Sequence, residues 1–494
     1  MADSLELILP LPVKTGGGVG PQQPPAQPMT LLRPLVLALS LSSLQAGIFL
    51  GQGSMSGEVT DSSALLQTRL TSSAELNDEG DIPGASGVVS FEWSESDDFA
   101  NPTRTPFSAA NQQHDFIVRR ELTQLKPATR YYYRTIFGPN EESTKAGPTC
   151  SFKTLPGIDK AEEIRFIIGS CMNYCKLMHG KPARASGPVT ATDEDKKLGF
   201  PALTAMTAVK PDFFVGTGDI VYYDNPIRNA TTIPELRKCW HEQFRFPRFI
   251  NFLQDVPAYW SKDDHDFRYN DSDNTKDKLP LPMTGIDLFR EQLPIAPMGD
   301  KERPTYRTIR VSKDLQIWLT EGRDFRSPNR MDDGPGKTLW GAEQQEWLKT
   351  TLKASDAQWK LLISPTPMIG PDDAHKKDNH TNLGGFRHEA EAFFQWLGEN
   401  KIENFMTFCG DRHWQYHSIH PSGIEEFACG ALNDENSRMG VPPGSKRGTD
   451  PEALIKQPFI SPQPSGGFLV LTVGDKLTIE FRDDSGKKLY SVTK

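Results

Sequence analysis

Phe405-Met406-Thr407-Phe408-Cys409-Gly410-Asp411-Arg412-His413 is an apolar run of strand length that stops on a glycine and at once presents an acid and an imidazole. Short apolar runs closed by a turn residue read as buried strands. The same arrangement occurs three more times. Phe166-Ile167-Ile168 leads into Gly169-Ser170-Cys171, and Phe213-Phe214-Val215 leads into Gly218-Asp219, with Tyr222 three residues on. Val256-Pro257-Ala258-Tyr259-Trp260 leads into Asp263-Asp264-His265-Asp266. In layered α/β folds the chemistry collects at the carboxyl ends of such strands. Four strand ends bearing Cys, Asp with Tyr, Asp-His, and Asp with His describe one cluster. Carboxylates packed that closely repel one another unless cations neutralise them. The expectation is an α/β protein with a multinuclear metal site.

Each residue has two readings when taken alone. Gly218 supplies a sharp turn and leaves the Asp219 carboxylate at the mouth of the sheet, as a bridge between two metals or as an ordinary helix cap. Tyr222 is a phenolate ligand for a hard trivalent metal, or a packed aromatic. Asp263, Asp264 and Asp266 around His265 are ligands and acid–base groups, or a solvated acidic loop. Asp411 and His413 fall on one side of an extended backbone by its period of two. Cys171 is a thiolate ligand or a plain buried cysteine. Arg323, after the apolar run Leu315–Leu319, suits bidentate capture of a phosphate or a structural salt bridge. Of the ten histidines, His265 and His413 carry the expectation; His417 and His420 read as peripheral.

The bulk properties narrow the class. A formal charge of -9 over 494 residues argues against a general nucleic-acid or anionic-membrane binder, and no sequence-specific nucleic-acid partner is expected. An acidic enzyme can still act on phosphate esters when bound cations reverse the local field. Cysteines at 150, 171, 175, 239, 409 and 429 form no paired CxxC set, and a disulfide framework is not demanded. Residues 1–46 read as a Gly/Pro/Gln-rich start followed by a signal-like segment: Met29, Arg33, the apolar run Pro34 to Leu41, and a cleavage site after Ala46. That predicts an exported protein, periplasmic, cell-envelope or secreted; the alternative is an apolar segment packed on the first domain. No later stretch reaches the roughly 18–20 apolar residues of a transmembrane span.

Residues 47–155 read as a small β-sandwich. Leu125-Lys126-Pro127-Ala128-Thr129-Arg130-Tyr131-Tyr132-Tyr133 resembles the tyrosine corner of fibronectin type III domains. From residue 160 to 494, strand and helix patterns alternate, with a helix opening at Gly341, an amphipathic one from Glu389, and a closing β-meander after Gly467. All proposed ligands lie between Cys171 and His413, so the N-terminal block is expected to be dispensable for chemistry.

Taken in order, these motifs resemble the PhoD-like alkaline phosphatase/phosphodiesterase family of the metallophosphatases. Ser170-Cys171 matches its Ser-Cys element, Gly218, Asp219 and Tyr222 its GDxxY element, and Gly410 to Trp414 its GDRHW element. Trp260 to Asp266 resembles its W-x-D-H-E loop, and Gly341, Glu343, Gln344, Trp347 and Leu348 match its G-x-E-Q-x-x-W-L helix. The resemblance covers nearly all of the chain after residue 46. It implies a four-layer α/β/β/α metallophosphatase domain behind a fibronectin-like sandwich. It implies Fe3+ among Cys171, Asp219, Tyr222 and His413, and one or two Ca2+ sharing Asp219, Asp264 and Asp411, other divalent metals remaining open. The catalytic residues expected are Asp219, Asp264, His265 and Arg323. Bound cations would acidify a water and stabilise charge on the phosphoryl group, giving hydrolysis of small phosphate mono- or diesters, with phospholipid or polymer phosphodiesters as further substrates. The alternative is a calcium-dependent binding or adhesion protein on the same scaffold. Two departures stand out. The acidic loop is two residues longer before the His and ends in Asp266 instead of Glu, leaving Asp263 and Asp264 as rival ligands. The family's D-x-W-G-Y segment is replaced by Asp378-Asn379-His380-Thr381-Asn382-Leu383-Gly384-Gly385-Phe386.

Overall fold

Two large sheets lie face to face in the computed structural model, which describes residues 47–494 apart from 185, 186 and 226. The signal-like segment lies outside the described residues. Among these, one sheet has nine strands, in the order Lys488–Thr493, Leu477–Asp483, Gly467–Val473, Ile164–Gly169, Phe213–Thr217, Ala258–Ser261, Ser54–Gly57, Ala64–Arg69 and Ile117–Leu122. The other has seven: Arg307–Arg310, Leu315–Leu319, Trp359–Ser364, Phe405–Cys409, Glu425–Cys429, Gln415–Ile419 and Lys456–Ile460. The strands that carry the motifs run parallel, Phe166 opposite Phe213 and Phe214 opposite Ala258 in one sheet, Leu361 opposite Met406 in the other. Their carboxyl ends therefore open on the same side.

Strand periodicity builds the four layers. Phe166, Ile168, Phe213, Val215, Ile317, Leu361, Ile363 and Phe408 fill the space between the sheets. The alternate residues Ile167, Phe214 and Trp260 face an outer layer of helices that includes Pro201–Val209, Ile233–Phe244 and Pro247–Asp255. On the opposite flank Trp318 and Leu362 face Ala342–Ala354 and Arg387–Glu399. A strand buried on both faces is apolar throughout, which is why these runs stand out in the sequence. The helix Ile233–Phe244 starts at a capping box formed by Thr232 and Glu235, with Pro234 in its first turn. The closing meander continues the nine-stranded sheet, Ile167 opposite Val470. All six cysteines are buried and unpaired.

The N-terminal block has its tyrosine corner: the Lys126 backbone N–H donates to the Tyr131 hydroxyl at 2.9 Å. Its sheet of Gly87–Ser94, Arg130–Asn140 and their neighbours packs through Val89, Phe91, Tyr131 and Phe152 on Leu66, Val118 and Leu122. Those last three residues belong to strands of the nine-stranded sheet. The sandwich thus shares a sheet with the rest of the chain, which corrects the picture of a detachable module. Arg119 reinforces the joint, donating to the carbonyls of Arg290 at 3.1 Å, Glu291 at 2.9 Å and Ala296 at 2.7 Å.

Beside it, the His241 ring nitrogens lie 2.7 Å from Asp81 and 2.7 Å from Asp115, which also pairs with Arg69 at 3.0 Å. Burial alone would raise the Asp115 carboxyl. Its bond to His241 and the charges of His241 and Arg69 outweigh burial and hold it well below the usual carboxylate range. The same balance lowers Asp81. The stability these carboxylates contribute is complete above the ordinary carboxylate pKa of about 4 and is lost as pH falls below it. Removing one partner of a buried ion pair costs about 3–5 kcal/mol. His241→Ala leaves Arg69 on Asp115, so the expected loss is the lower end, about 3 kcal/mol, measured by urea unfolding at neutral pH and shrinking in acid.

Candidate metal centre

Three of the four strand ends turn by the same device. Cys171, Asp219 and Asp411 have φ of 56°, 54° and 60°, a left-handed conformation that is uncommon for residues with a side chain and collects at functional sites. The glycines make the loops' close approach feasible. A Cβ on Gly218 would lie 2.6 Å from that of Asp263, and one on Gly410 would lie 2.4 Å from both the Thr217 carbonyl and Ser170 Oγ. The left-handed turn at Asp411 replaces the extended Asp411–His413 backbone expected from sequence.

The turns assemble three adjoining groups whose ligand atoms lie within 4.8 Å of one another: Cys171, Asp219 and His413; Asp219, Asp264 and His265; Asp264, Asp271 and Asp378. Asp219 belongs to the first two. Its Oδ2 is 3.4 Å from Cys171 Sγ and accepts from the Tyr222 hydroxyl at 3.2 Å, and that hydroxyl is 3.5 Å from His413 Nε2. Asn436 ties the group together, donating to the Tyr222 hydroxyl at 3.0 Å and the Cys171 carbonyl at 2.9 Å. In the second group His265 Nδ1 is 2.5 Å from Asp224, and its ring lies against that of Tyr222 with centroids 4.1 Å apart.

The electrostatics are those of a cation site. Burial drives the Asp219 carboxyl well above its usual range, and Asp264, Asp263 and Asp266 add to this against the opposing charge of His265. Its Oδ1 is buried with no hydrogen-bond partner, a costly state for a carboxylate unless a cation takes it up. Burial, then the charges of Lys176, Arg438, His265 and Lys376, push His413 well below its usual range. The imidazole is therefore neutral, as a metal ligand must be. Thiol, carboxylate, phenol and imidazole around one point fit a transition metal, and the carboxylate-rich flank fits a hard divalent cation.

Other expected residues take different positions. Arg323 is fully buried: its Nε and Nη2 lie 2.7 and 2.5 Å from Asp263 Oδ1, and its Nη1 donates to the Ser272 carbonyl at 2.9 Å. That is the salt-bridge reading, and it corrects the phosphate clamp, because no edge of the guanidinium is open to a substrate. The same pairing separates the rival acids: Asp263 is held by Arg323, and Asp264 is the one grouped with Asp219. Asp411 stands outside all three groups, its Oδ2 3.2 Å from Arg412. His417 and His420 pair with Glu425 at 2.7 Å and Glu391 at 3.3 Å, away from the cluster. Sequence reasoning missed Asp224, Asp271, Asp378 and Asn436. Asp224 lies two residues past Tyr222 and Asp378 opens the divergent segment; nothing local marks Asn436.

A four-layer α/β/β/α fold with thiol, phenol, imidazole and carboxylates gathered at its strand ends defines a metallophosphatase. The profile of the PhoD-like phosphatase matches residues 166–458, and that of the PhoD-like phosphatase N-terminal domain matches residues 42–156. The chain belongs to the PhoD-like phosphatase family. It is 22% identical over 413 residues to alkaline phosphatase D of Bacillus subtilis (strain 168), a match covering 73% of this chain and 64% of that relative. The chain thus spans under two thirds of the length of the curated relative. Solved structures that share the fold include the following two. A structure of PhoD gives a TM-score of 0.67 at 18% identity, covering 90% of this chain and 89% of that one. A purple acid phosphatase, PPD1, from yellow lupin (Lupinus luteus) seeds gives 0.60 at 14%, covering 91% and 74%.

Proposed function

We propose that this chain is a metal-dependent hydrolase of phosphate mono- or diesters. The observation that carries the reading is the buried Asp219 carboxylate, with one oxygen unpartnered, where Cys171, Tyr222 and His413 meet Asp264 and His265. Cys171, Asp219, Tyr222 and His413 would hold ferric iron, and Asp219 and Asp264 would hold calcium, with Asp411 alongside. Such ions, when bound, acidify water and neutralise charge on a phosphoryl group.

The chain's own residues supply the rest. Asp224 fixes the His265 ring through Nδ1, so the imidazole is oriented to hold a proton for the departing ester oxygen. Asn436 keeps the Tyr222 hydroxyl and the Cys171 backbone in place. Arg323 positions the loop that carries Asp263 and Asp264. Lys176, held by Asn436 at 2.7 Å, and Arg438, stacked 4.5 Å over Trp414, put positive charge beside His413, which favours an anionic ester over a neutral one. Small phosphate esters are the substrates proposed first, with phospholipid or polymer phosphodiesters as further ones. Calcium-dependent adhesion, the other reading, has no use for the thiol–phenol–imidazole group. The composition of residues 29–46 supports an exported protein. No helix among the described residues is long and apolar enough to cross a membrane.

Metal analysis with a visible spectrum tests the assignment. The purified protein is expected to contain iron and be coloured, because a phenolate on ferric iron absorbs visible light. Tyr222→Phe should bleach that band with the far-ultraviolet circular dichroism unchanged. A colourless protein holding only zinc would overturn the iron assignment and leave the hydrolase reading standing.

A further inference from the structure

Beside the group of Cys171, Asp219 and His413 stands a lysine to which the described residues give no carboxylate. Lys176 is partly buried in the first turn of the short helix Tyr174–His179, its backbone N–H donating to Asn173 Oδ1 at 2.9 Å. Its Nζ donates to Asn436 Oδ1 at 2.7 Å, and among the described residues no Asp or Glu lies within ion-pair reach of it. Its neighbours are cations. Lys181 Nζ donates to the carbonyl of Ser437, the residue after Asn436, and the next residue, Arg438, donates its backbone N–H to the His413 carbonyl at 2.9 Å. Three consecutive residues thus gather three positive charges on the flank of His413. Arg438 is paired with Asp373 at 3.0 Å; Lys176 has no such pairing. Burial, then the charges of Lys181 and Arg438, lower the basicity of Lys176, with the Cys171 and Asp219 groups opposing them.

We propose that Lys176, with Lys181 beside it, is a subsite for a second phosphate group of the substrate, so that this chain prefers esters that carry another phosphate close to the scissile one. The inference rests on the metal-dependent hydrolase reading above and names its substrate class. Charge balance carries it. The anionic groups that Lys176 faces in the chain, Cys171 and Asp219, are those that a bound cation would neutralise. The ammonium then faces the charges of Lys181 and Arg438 with its two opposing groups cancelled, a costly state for a partly buried charge. A phosphate dianion at the two ammonium groups removes that cost with charge-assisted hydrogen bonds. Position sets the spacing. The Asn436 amide donates through Nδ2 to the Tyr222 hydroxyl at 3.0 Å and accepts through Oδ1 from Lys176. One amide group therefore separates the ammonium from the phenol, which puts an anion on Lys176 beside the metal ligands and not among them. A phosphate held there belongs to the same small molecule as the scissile group, a few bonds along.

Paired substrates that differ by one phosphate test this on the metal-loaded full chain. One pair is thymidine 5′-(p-nitrophenyl phosphate) and its 3′-phosphorylated form; the other is adenosine 5′-phosphate and adenosine 3′,5′-bisphosphate. The extra phosphate is expected to raise kcat/KM by about tenfold or more through a lower KM, the scale of a charge-assisted hydrogen bond. The gain should shrink as salt rises. In Lys176→Met the ratio within each pair should fall toward one, in Lys181→Met it should fall in part, and Lys176→Arg should keep most of it. A ratio near one in the wild type overturns the proposal whatever the variants do. So does a ratio that persists in Lys176→Met, since an equal loss on both members of a pair would place Lys176 on the scissile phosphate. Hydrolysis without preference sinks the subsite alone. Absence of hydrolysis of all four compounds by metal-loaded protein sinks the hydrolase reading and this inference with it.

Discussion

Asp219→Asn is expected to abolish phosphate-ester hydrolysis, with kcat/KM for a chromogenic ester falling by at least about a hundredfold, the scale of losing one electrostatic stabiliser. The substitution is nearly isosteric, and asparagine tolerates the left-handed φ of 54° at this position. The backbone turn should therefore survive. What is lost is the charge that two cations would share: a neutral amide offers one carbonyl oxygen where the carboxylate offers two. Stability provides the control. In metal-free protein the Asp219 carboxyl is buried among Asp264, Asp263 and Asp266 and disfavoured in its charged form. The asparagine variant should then unfold at the same or a higher temperature than metal-free wild type. Activity within a few-fold of wild type would make the strand-end cluster structural.

Removing the N-terminal block should have the larger effect on the protein as a whole. A chain beginning at Asp159 is expected not to fold. It loses Ser54–Gly57, Ala64–Arg69 and Ile117–Leu122 from the nine-stranded sheet and leaves Ala258–Ser261 as an unpaired edge beside the metal loop. It also loses the Arg119 bonds to the 290–296 segment, the hydroxyl–carbonyl bond from Tyr259 to Val59 at 2.5 Å, and both carboxylate partners of His241. The comparison is soluble yield, circular dichroism and iron per chain against wild type. A soluble truncated chain with a normal iron load would return the sandwich to the status of an appendage.

How the site was legible follows from where its information lies. A strand buried on both faces has to be apolar along its length, and a turn at its end has to be glycine or a strained residue. Cys171, Asp219, Asp264 and His413 were therefore marked by the runs that precede them, without knowledge of how those runs pair. The tyrosine corner was legible for the same reason, since Lys126 and Tyr131 bond across five residues of chain.

The remaining decisions depend on partners far away in sequence. Asp263 and Asp264 are neighbours with the same side chain, and only the arrival of Arg323, 60 residues on, assigns one to a salt bridge and leaves the other with Asp219. Asp271 meets Lys376 and Asp378 across more than a hundred residues of chain, and none of the three sits behind an apolar run. The sandwich looked separable because every proposed ligand lies beyond it in the chain, yet hydrogen bonding between strands is indifferent to that division and continues the sheet through it. Local patterning determined which strand ends carry chemistry. Tertiary structure decided which charges neutralise one another, because Coulomb interactions and hydrogen bonds depend on distance in space and not along the chain.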